Sequence, residues 1–244
     1  MGSVTKTRAD LLIHRFRYAV GWFGLIAWQT SLSSCAYIFA QQLLAMVSLC
    51  NPSYVIQGWH AALMTIASTA ASVVLSVYVM QKLTMAQGLA VVAHVFGFIA
   101  FVAVLWVFGA GKRANAYDVF FDFQDQNDWG SKGVATLVGL IGPASTFIGG
   151  DPAVHLAEEL QDASHTLPRA MVSASAINYV IGLIGLISFM FNIGTIDDSL
   201  YDYGGQPWIA VIYRITGSKA ATIVMIVIIA INVTIHATVS VLVL

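Results

Sequence analysis

Charge is what this sequence has least of. Lys and Arg number 11 and Asp and Glu 12, so charged residues make up 9% of the 244, against about 25% in a soluble domain. That shortage excludes a water-soluble enzyme. The formal net charge of −1 also excludes nucleic acid as a partner, because a phosphate backbone is held by clustered Lys and Arg. Cysteine is scarce too: Cys35 and Cys50 are the only two, which rules out a disulfide framework and a cysteine metal cluster. No low-complexity segment and no soluble domain can be marked.

What is abundant is apolar side chain, at 58% of the chain, gathered into six runs: Val20 to Leu49, Ala61 to Met80, Met85 to Ala110, Gly133 to Gly150, Met171 to Gly194 and Ala220 to Leu244. Not one Lys, Arg, Asp or Glu falls inside them. A soluble core does not segregate charge so completely. Each run reaches the ~17 to 25 residues that cross a hydrocarbon layer of ~30 Å as a helix. The expectation is an all-α, polytopic membrane protein with about six transmembrane helices. Residues 1–19 form a cytoplasmic leader and 20–244 the transmembrane domain, with spans at about 20–49, 61–80, 85–110, 133–160 broken near 142–151, 171–194 and 220–244.

With the N-terminus inside, Lys6, Arg8, Arg15, Arg17, Lys82 and Arg169 are cytoplasmic, and Lys112, Arg113, Lys132, Arg214 and Lys219 lie outside. The cluster before the first span favours that orientation. The loop Gly111 to Lys132 mixes Asp118, Asp122, Asp125 and Asp128 with Tyr117, Phe120, Phe121, Phe123 and Trp129. It reads as a solvated loop with an interfacial aromatic belt, or as a vestibule that collects substrate. Pro207 to Ile215 is expected to form a short helix on the surface. The chain stops at Leu244 inside an apolar run, an ending expected of a truncated product.

The fourth run is the informative one. From Gly139 to Pro152 the sequence is Gly-Leu-Ile-Gly-Pro-Ala-Ser-Thr-Phe-Ile-Gly-Gly-Asp-Pro, with four Gly and two Pro. Pro143 cannot donate to the carbonyl of Gly139, nor Pro152 to that of Ile148, and Gly149 and Gly150 cost about 1 kcal/mol each relative to Ala in a helix. Unpaired backbone survives in hydrocarbon only where it is buried in protein or lines a polar cavity. The break is therefore a binding site, or else a kink that shapes packing. The helix resumes at Pro152 with Asp151 as its N-cap. Half-helices ending at mid-depth offer free N–H and C=O groups to a small zwitterion, as in secondary transporters.

These residues carry a resemblance. Phe147-Ile-Gly-Gly-Asp-Pro-Ala-Val-His-Leu-Ala-Glu-Glu-Leu160, with Leu167-Pro-Arg-Ala170 after it, resembles the sixth transmembrane helix and following cytoplasmic loop of the amino acid/polyamine/organocation transporters. The fungal branch with GABA and choline permeases is the nearest likeness. Gly21-Trp22, Ala93-His-Val-Phe-Gly97 and Thr216-Gly-Ser-Lys-Ala220 resemble that branch's third and fifth helices and the start of its eighth. The family has about twelve spans in two inverted five-helix repeats plus two helices, so the resemblance implies a partial inverted-repeat fold, helices three to eight.

The implied function is secondary active transport of an amino acid or small amine, such as GABA or choline, proton-coupled and by alternating access. Small-molecule substrate, proton and lipid bilayer are the partners, no cofactor and no metal are expected, and the plasma or vacuolar membrane is the location. The alternative is a truncated, non-transporting fragment or a structural partner of full-length permeases. The backbone of Ser145, Thr146, Phe147, Ile148 and Gly149 is expected to take the amino or quaternary ammonium end, with Phe147 as a gate, a cation-π face or simple packing. Gln41 is a candidate wall of the site. Asp151 would carry a proton, cap its helix, or do both, because a charge at membrane depth is costly and usually functional. His94, deep in the third run, is a coupling candidate or a group satisfied by one hydrogen bond. His155, Glu158 and Glu159 share helical spacing that fits a cytoplasmic gate with Arg169 or plain solvated charge; no second His-rich helix accompanies them to make a metal site.

Overall fold

The computed structural model of the chain describes residues 8–79, 83–111, 113–123, 125, 128–142, 162–194 and 203–243. Regular structure among them is entirely helical: α1 (Arg8–Cys50), α2 (Gly58–Val79), α3 (Leu83–Phe108), α4 (Ala116–Phe121), α5 (Lys132–Gly139), α6 (Ala163–Asn192), α7 (Pro207–Thr216) and α8 (Lys219–Val243). Five carry segments long and apolar enough to cross a membrane, namely His14–Cys50, Gly58–Tyr78, Gly88–Phe108, Ala163–Asn192 and Lys219–Thr238. The remaining apolar run is described only as far as Gly142. The chain is an all-helical polytopic membrane protein, and each of these five segments contains or overlaps one of the charge-free runs.

The described residues belong to two compact bodies, one of residues 1–97, 200–210 and 218–244, the other of 98–199 and 211–217. In the first, α1, α2 and α8 pack mutually. The reason is a stripe of side chains four residues apart on α1: Trp28, Leu32, Ala36, Ala40, Leu44 and Ser48 are all buried. Two alanines at its centre let neighbouring backbones come close, which is how helices associate where lipid removes the hydrophobic drive. Facing them, Ser68, Ser72 and Ser76 repeat at the same spacing on α2, and Ser68 Oγ donates to the carbonyl oxygen of Ala36 at 3.1 Å. Where α3 meets α8, Gly97 leaves so little room that a Cβ there would lie 2.6 Å from Ile228 Cγ2.

Two boundaries differ from what the apolar runs predict. Helix α1 starts at Arg8, twelve residues before Val20, since no Gly or Pro interrupts Arg8 to Ala19 and charge alone does not end a helix. Helix α6 starts at Ala163 rather than Met171 and holds Pro168 inside it. Pro168 is the sixth residue of that helix, so its missing N–H frees only the carbonyl of Ser164 near the water-facing end.

In the second body α4 contacts the C-terminal end of α6, through Phe120 and Phe191. Only Ser188 and Asn192 of α6 are buried. In α7, which the division of the two bodies crosses at Ala210, Ile209, Val211 and Ile212 are fully buried. The short helix expected there forms, but its apolar side is covered rather than lying free on a surface.

Candidate functional site

Of the residues expected at the site, Ser145, Thr146, Phe147, Ile148, Gly149, Asp151, His155 and Glu158 lie outside the described residues. Their flanks are described. Before them, Ser131 Oγ accepts the N–H of Val134 at 3.2 Å to open α5, which closes after eight residues at Gly139, the first residue of the Gly/Pro-rich stretch. After them, Asp162 takes a left-handed conformation (φ 53°) ahead of α6, and its Oδ1 meets Ser164 Oγ at 3.0 Å and His165 Nδ1 at 3.2 Å. His165, Thr166 and Arg169 line a shallow cleft with Asp162.

Gln41 is described, and it stands on the wall of a cleft of about 640 Å³ between α1 and α2. Its Nε2 donates to the hydroxyl of Tyr37, one turn earlier, at 2.6 Å. Gln57, Gly58, Ala61, Ala62, Thr65, Ile56 and Ile66 complete the lining. The cleft is uncharged: it offers amide, phenol and hydroxyl groups over an apolar floor, so it can orient a small polar molecule without holding an ion by charge. The neighbouring Gln42 is buried, and among the described residues nothing donates to its Oε1. Three other polar side chains of this helix, Thr30, Ser33 and Ser34, are satisfied locally, each donating to a carbonyl three or four residues back.

His94 is exposed on α3 and is not among the residues lining the Gln41 cleft. Asn232 and Thr234 on α8 hydrogen-bond their own helix, at 2.9 and 2.8 Å, and so do not converge on it either.

Sequence reasoning missed a polar network in the second body. Trp106 Nε1 donates to Ser188 Oγ at 2.9 Å, Asn192 Nδ2 to the carbonyl of Ser188 at 2.8 Å, and the Arg214 guanidinium to the carbonyls of Asn192 (3.1 Å) and Ile193. Arg113 lies 4.3 Å above the Trp106 ring and donates to that residue's carbonyl at 2.5 Å. The partners are 4 to 82 residues apart, so only the short pairs could have been read from spacing. Gly109 is the tightest point: a Cβ on it would be 1.8 Å from Asn192 Oδ1.

A family model described as amino acid permease matches residues 9–243. Among curated relatives, a putative amino acid/polyamine transporter of Macrophomina phaseolina is 29% identical over 206 residues, 84% of this chain and 45% of the relative. The swainsonine transporter of Arthroderma benhamiae is 31% identical over 73% of this chain and 34% of its own length. The choline transporter of Saccharomyces cerevisiae is 24% identical over 85% and 37%. The chain thus spans less than half the length of these relatives. No solved structure matches it. The relatives are transporters rather than enzymes, and with a match running nearly end to end over an all-helical, charge-segregated chain, the protein belongs to the amino acid permease family.

Proposed function

We propose that the chain supplies part of the transport core of a secondary transporter, moving an amino acid or a small amine such as GABA or choline, coupled to protons, by alternating access around residues 142–151. The observation that carries this reading is α5. It ends after eight residues, about 12 Å at 1.5 Å per residue, and after the single residue Leu140 the chain is helical again at Ile141 and Gly142, at the head of a Gly/Pro-rich stretch in a permease-family chain. An interruption in an apolar run is where backbone groups are freed, and in hydrocarbon these need protein or a polar cavity around them. In this reading the backbone of Ser145 to Gly149 takes the amino or ammonium end of the substrate and Gln41, held by Tyr37, walls the site. Asp151 and His94 are the proton-coupling groups, and His155 with Glu158 forms the cytoplasmic gate. Relatives named for amino acids, polyamines and choline support the substrate class.

A second reading is favoured by one specific observation. Among the described residues, nothing of α6 is buried before Ser188 and Asn192 at its end, as expected of a partner that associates with full-length permeases without transporting. Uptake of radiolabelled amino acids, GABA and choline into a permease-deficient host separates the two. Transport predicts uptake that rises with external acidity, collapses with a protonophore and falls at least tenfold in Asp151→Asn. Uptake no higher than in the empty host, with the chain present in the membrane, supports the second reading.

A further inference from the structure

The connection between α1 and α2 closes on a histidine that none of the roles above uses. His60 is the third residue of α2, and its Nδ1 accepts the backbone N–H of Gln57 at 3.1 Å while Tyr54 Oη lies 2.9 Å from the same nitrogen. A backbone amide can only donate, so in this geometry Nδ1 presents its lone pair to Gln57 N–H. This is the return half of a capping box, with imidazole in the place that Glu or Gln ordinarily takes. The ring is held on two sides: Tyr54 stacks on it with centroids 5.3 Å apart, and Trp59 meets it edge-on at 3.9 Å.

Protonation changes this arrangement in one direction. A proton on Nδ1 removes the only acceptor that Gln57 N–H has there, and it sets a positive charge at a helix N-terminus, where the backbone dipole is already positive. The Tyr54 hydroxyl can turn and accept instead; the amide cannot. Gln57 and Gly58 are also the lip of the Gln41 cleft, and Ile56 beside them packs where Gly204 leaves space, its Cδ1 being 3.1 Å from a Cβ placed there. Among the described residues no carboxylate pairs with the His60 ring. Among the described residues, the titratable or charged groups on the elements packed here include Tyr54 itself, Tyr37 and Cys50 on α1, Tyr203 before α7, and exposed Lys219 at the head of α8, while Arg8, Asp10, His14, Arg15, Arg17, Tyr18 and Cys35 are earlier on α1, Tyr78 is at the other end of α2 and His236 is seventeen residues along α8. From Tyr18 to Met80 the sequence has no Lys, Arg, Asp or Glu.

We propose that His60 is a proton-operated latch on the α1–α2 connection: neutral, it caps α2 and keeps Gln57 and Gly58 against the cleft walled by Gln41; protonated, it releases that lip. The capped ring binds no proton at Nδ1 and the released ring does, so acid moves the population toward the open lip. The inference stands apart from the transport reading, because it concerns a connection that can be followed in the chain itself.

The test uses the full chain, ¹⁵N-labelled, in lipid nanodiscs. At pH 8 the His60 resonances report the tautomer protonated at Nε2 and the Gln57 amide is protected from exchange. Between pH 8 and 5, across the range where imidazole titrates, protection of Gln57, corrected for intrinsic exchange, falls roughly fivefold or more, the weight of one capping hydrogen bond. His60→Gln, which keeps an acceptor without a titration, stays protected at both values, and His60→Ala is unprotected at both. Corrected Gln57 protection that does not move between pH 8 and 5, or a His60→Gln chain with the wild-type pH response, overturns the proposal. Should His60→Ala fail to fold, the wild-type and His60→Gln chains decide it alone.

Discussion

The two longest helices, α1 with 43 residues and α6 with 30, are held by opposite means. Helix α1 buries a continuous stripe through its C-terminal half, from Trp28 to Leu49, with Ala36, Ala40, Leu44, Ala45 and Leu49 at 2% exposure or less. Helix α6 buries only Ser188 and Asn192, both near its end, and is secured there by Trp106 and Arg214. Side-chain packing along a face fixes a helix in register and rotation. Polar bonds at one end fix its position and leave the shaft to the lipid. In a membrane both suffice, since the hydrocarbon already satisfies an apolar helix and only polar groups demand a partner.

Substitutions that attack each means in turn sharpen the contrast, and the largest effect belongs to the point fixing. Gly109→Ala forces a Cβ to within 1.8 Å of Asn192 Oδ1 and 2.4 Å of the Leu105 carbonyl oxygen, which should cost about 3 kcal/mol. Thermal unfolding followed through Trp106 fluorescence measures it. Gly58→Ala, with nothing within 4 Å of its added carbon, is the matched control and should move stability by less than about 0.5 kcal/mol.

Next comes the stripe. Ala40→Leu inserts three carbons at a fully buried position and should cost about 2 kcal/mol, with loss of protection in α2 and α8 but not in α6. Equal loss in α6 would erase the distinction between the helices. Arg214→Ala removes the donors on the Asn192 and Ile193 carbonyls and should cost about 1 kcal/mol, at the lower end for a charged donor because the guanidinium is exposed. Amide exchange at Gly194 should rise while the middle of α6 is unchanged. Arg214→Lys should recover part of this, lacking the fork to reach both carbonyls. The smallest effect is Ser68→Ala, a single interhelical hydrogen bond worth about 0.6 kcal/mol in such settings. A double-mutant cycle with a reverse packing change at Ala36 resolves it.

The long helices were legible because hydrocarbon tolerates no charge, so the positions of Lys, Arg, Asp and Glu outline the spans before any packing is known. Their ends were less legible. Arg8, Arg15 and Arg17 mark where α1 leaves the apolar layer and not where its backbone stops being helical, and Pro168 costs little near the start of α6. Gln41 was picked out as an amide in a span, and Tyr37 follows as its neighbour one turn away. Tyr54, Gln57 and His60 become a unit only once the chain turns at Asn51–Pro52, and Arg214 finds the end of α6 across 22 residues. Contacts between distant segments depend on how helices cross, which hydropathy does not encode. The reading of Ser145 to Glu158 rests on residues outside the described set.

At about 1.5 Å per residue, the 43 residues of α1 extend ~65 Å, about twice the ~30 Å depth of the oily layer. Gly21 and Gly24 stand between the outlying turns, with Arg15 and Arg17 on them, and the shaft inside, yet the backbone stays helical through both and forms a single spindle. A macromolecule that twisted the projecting end would turn Gln41 with it, more than twenty residues away.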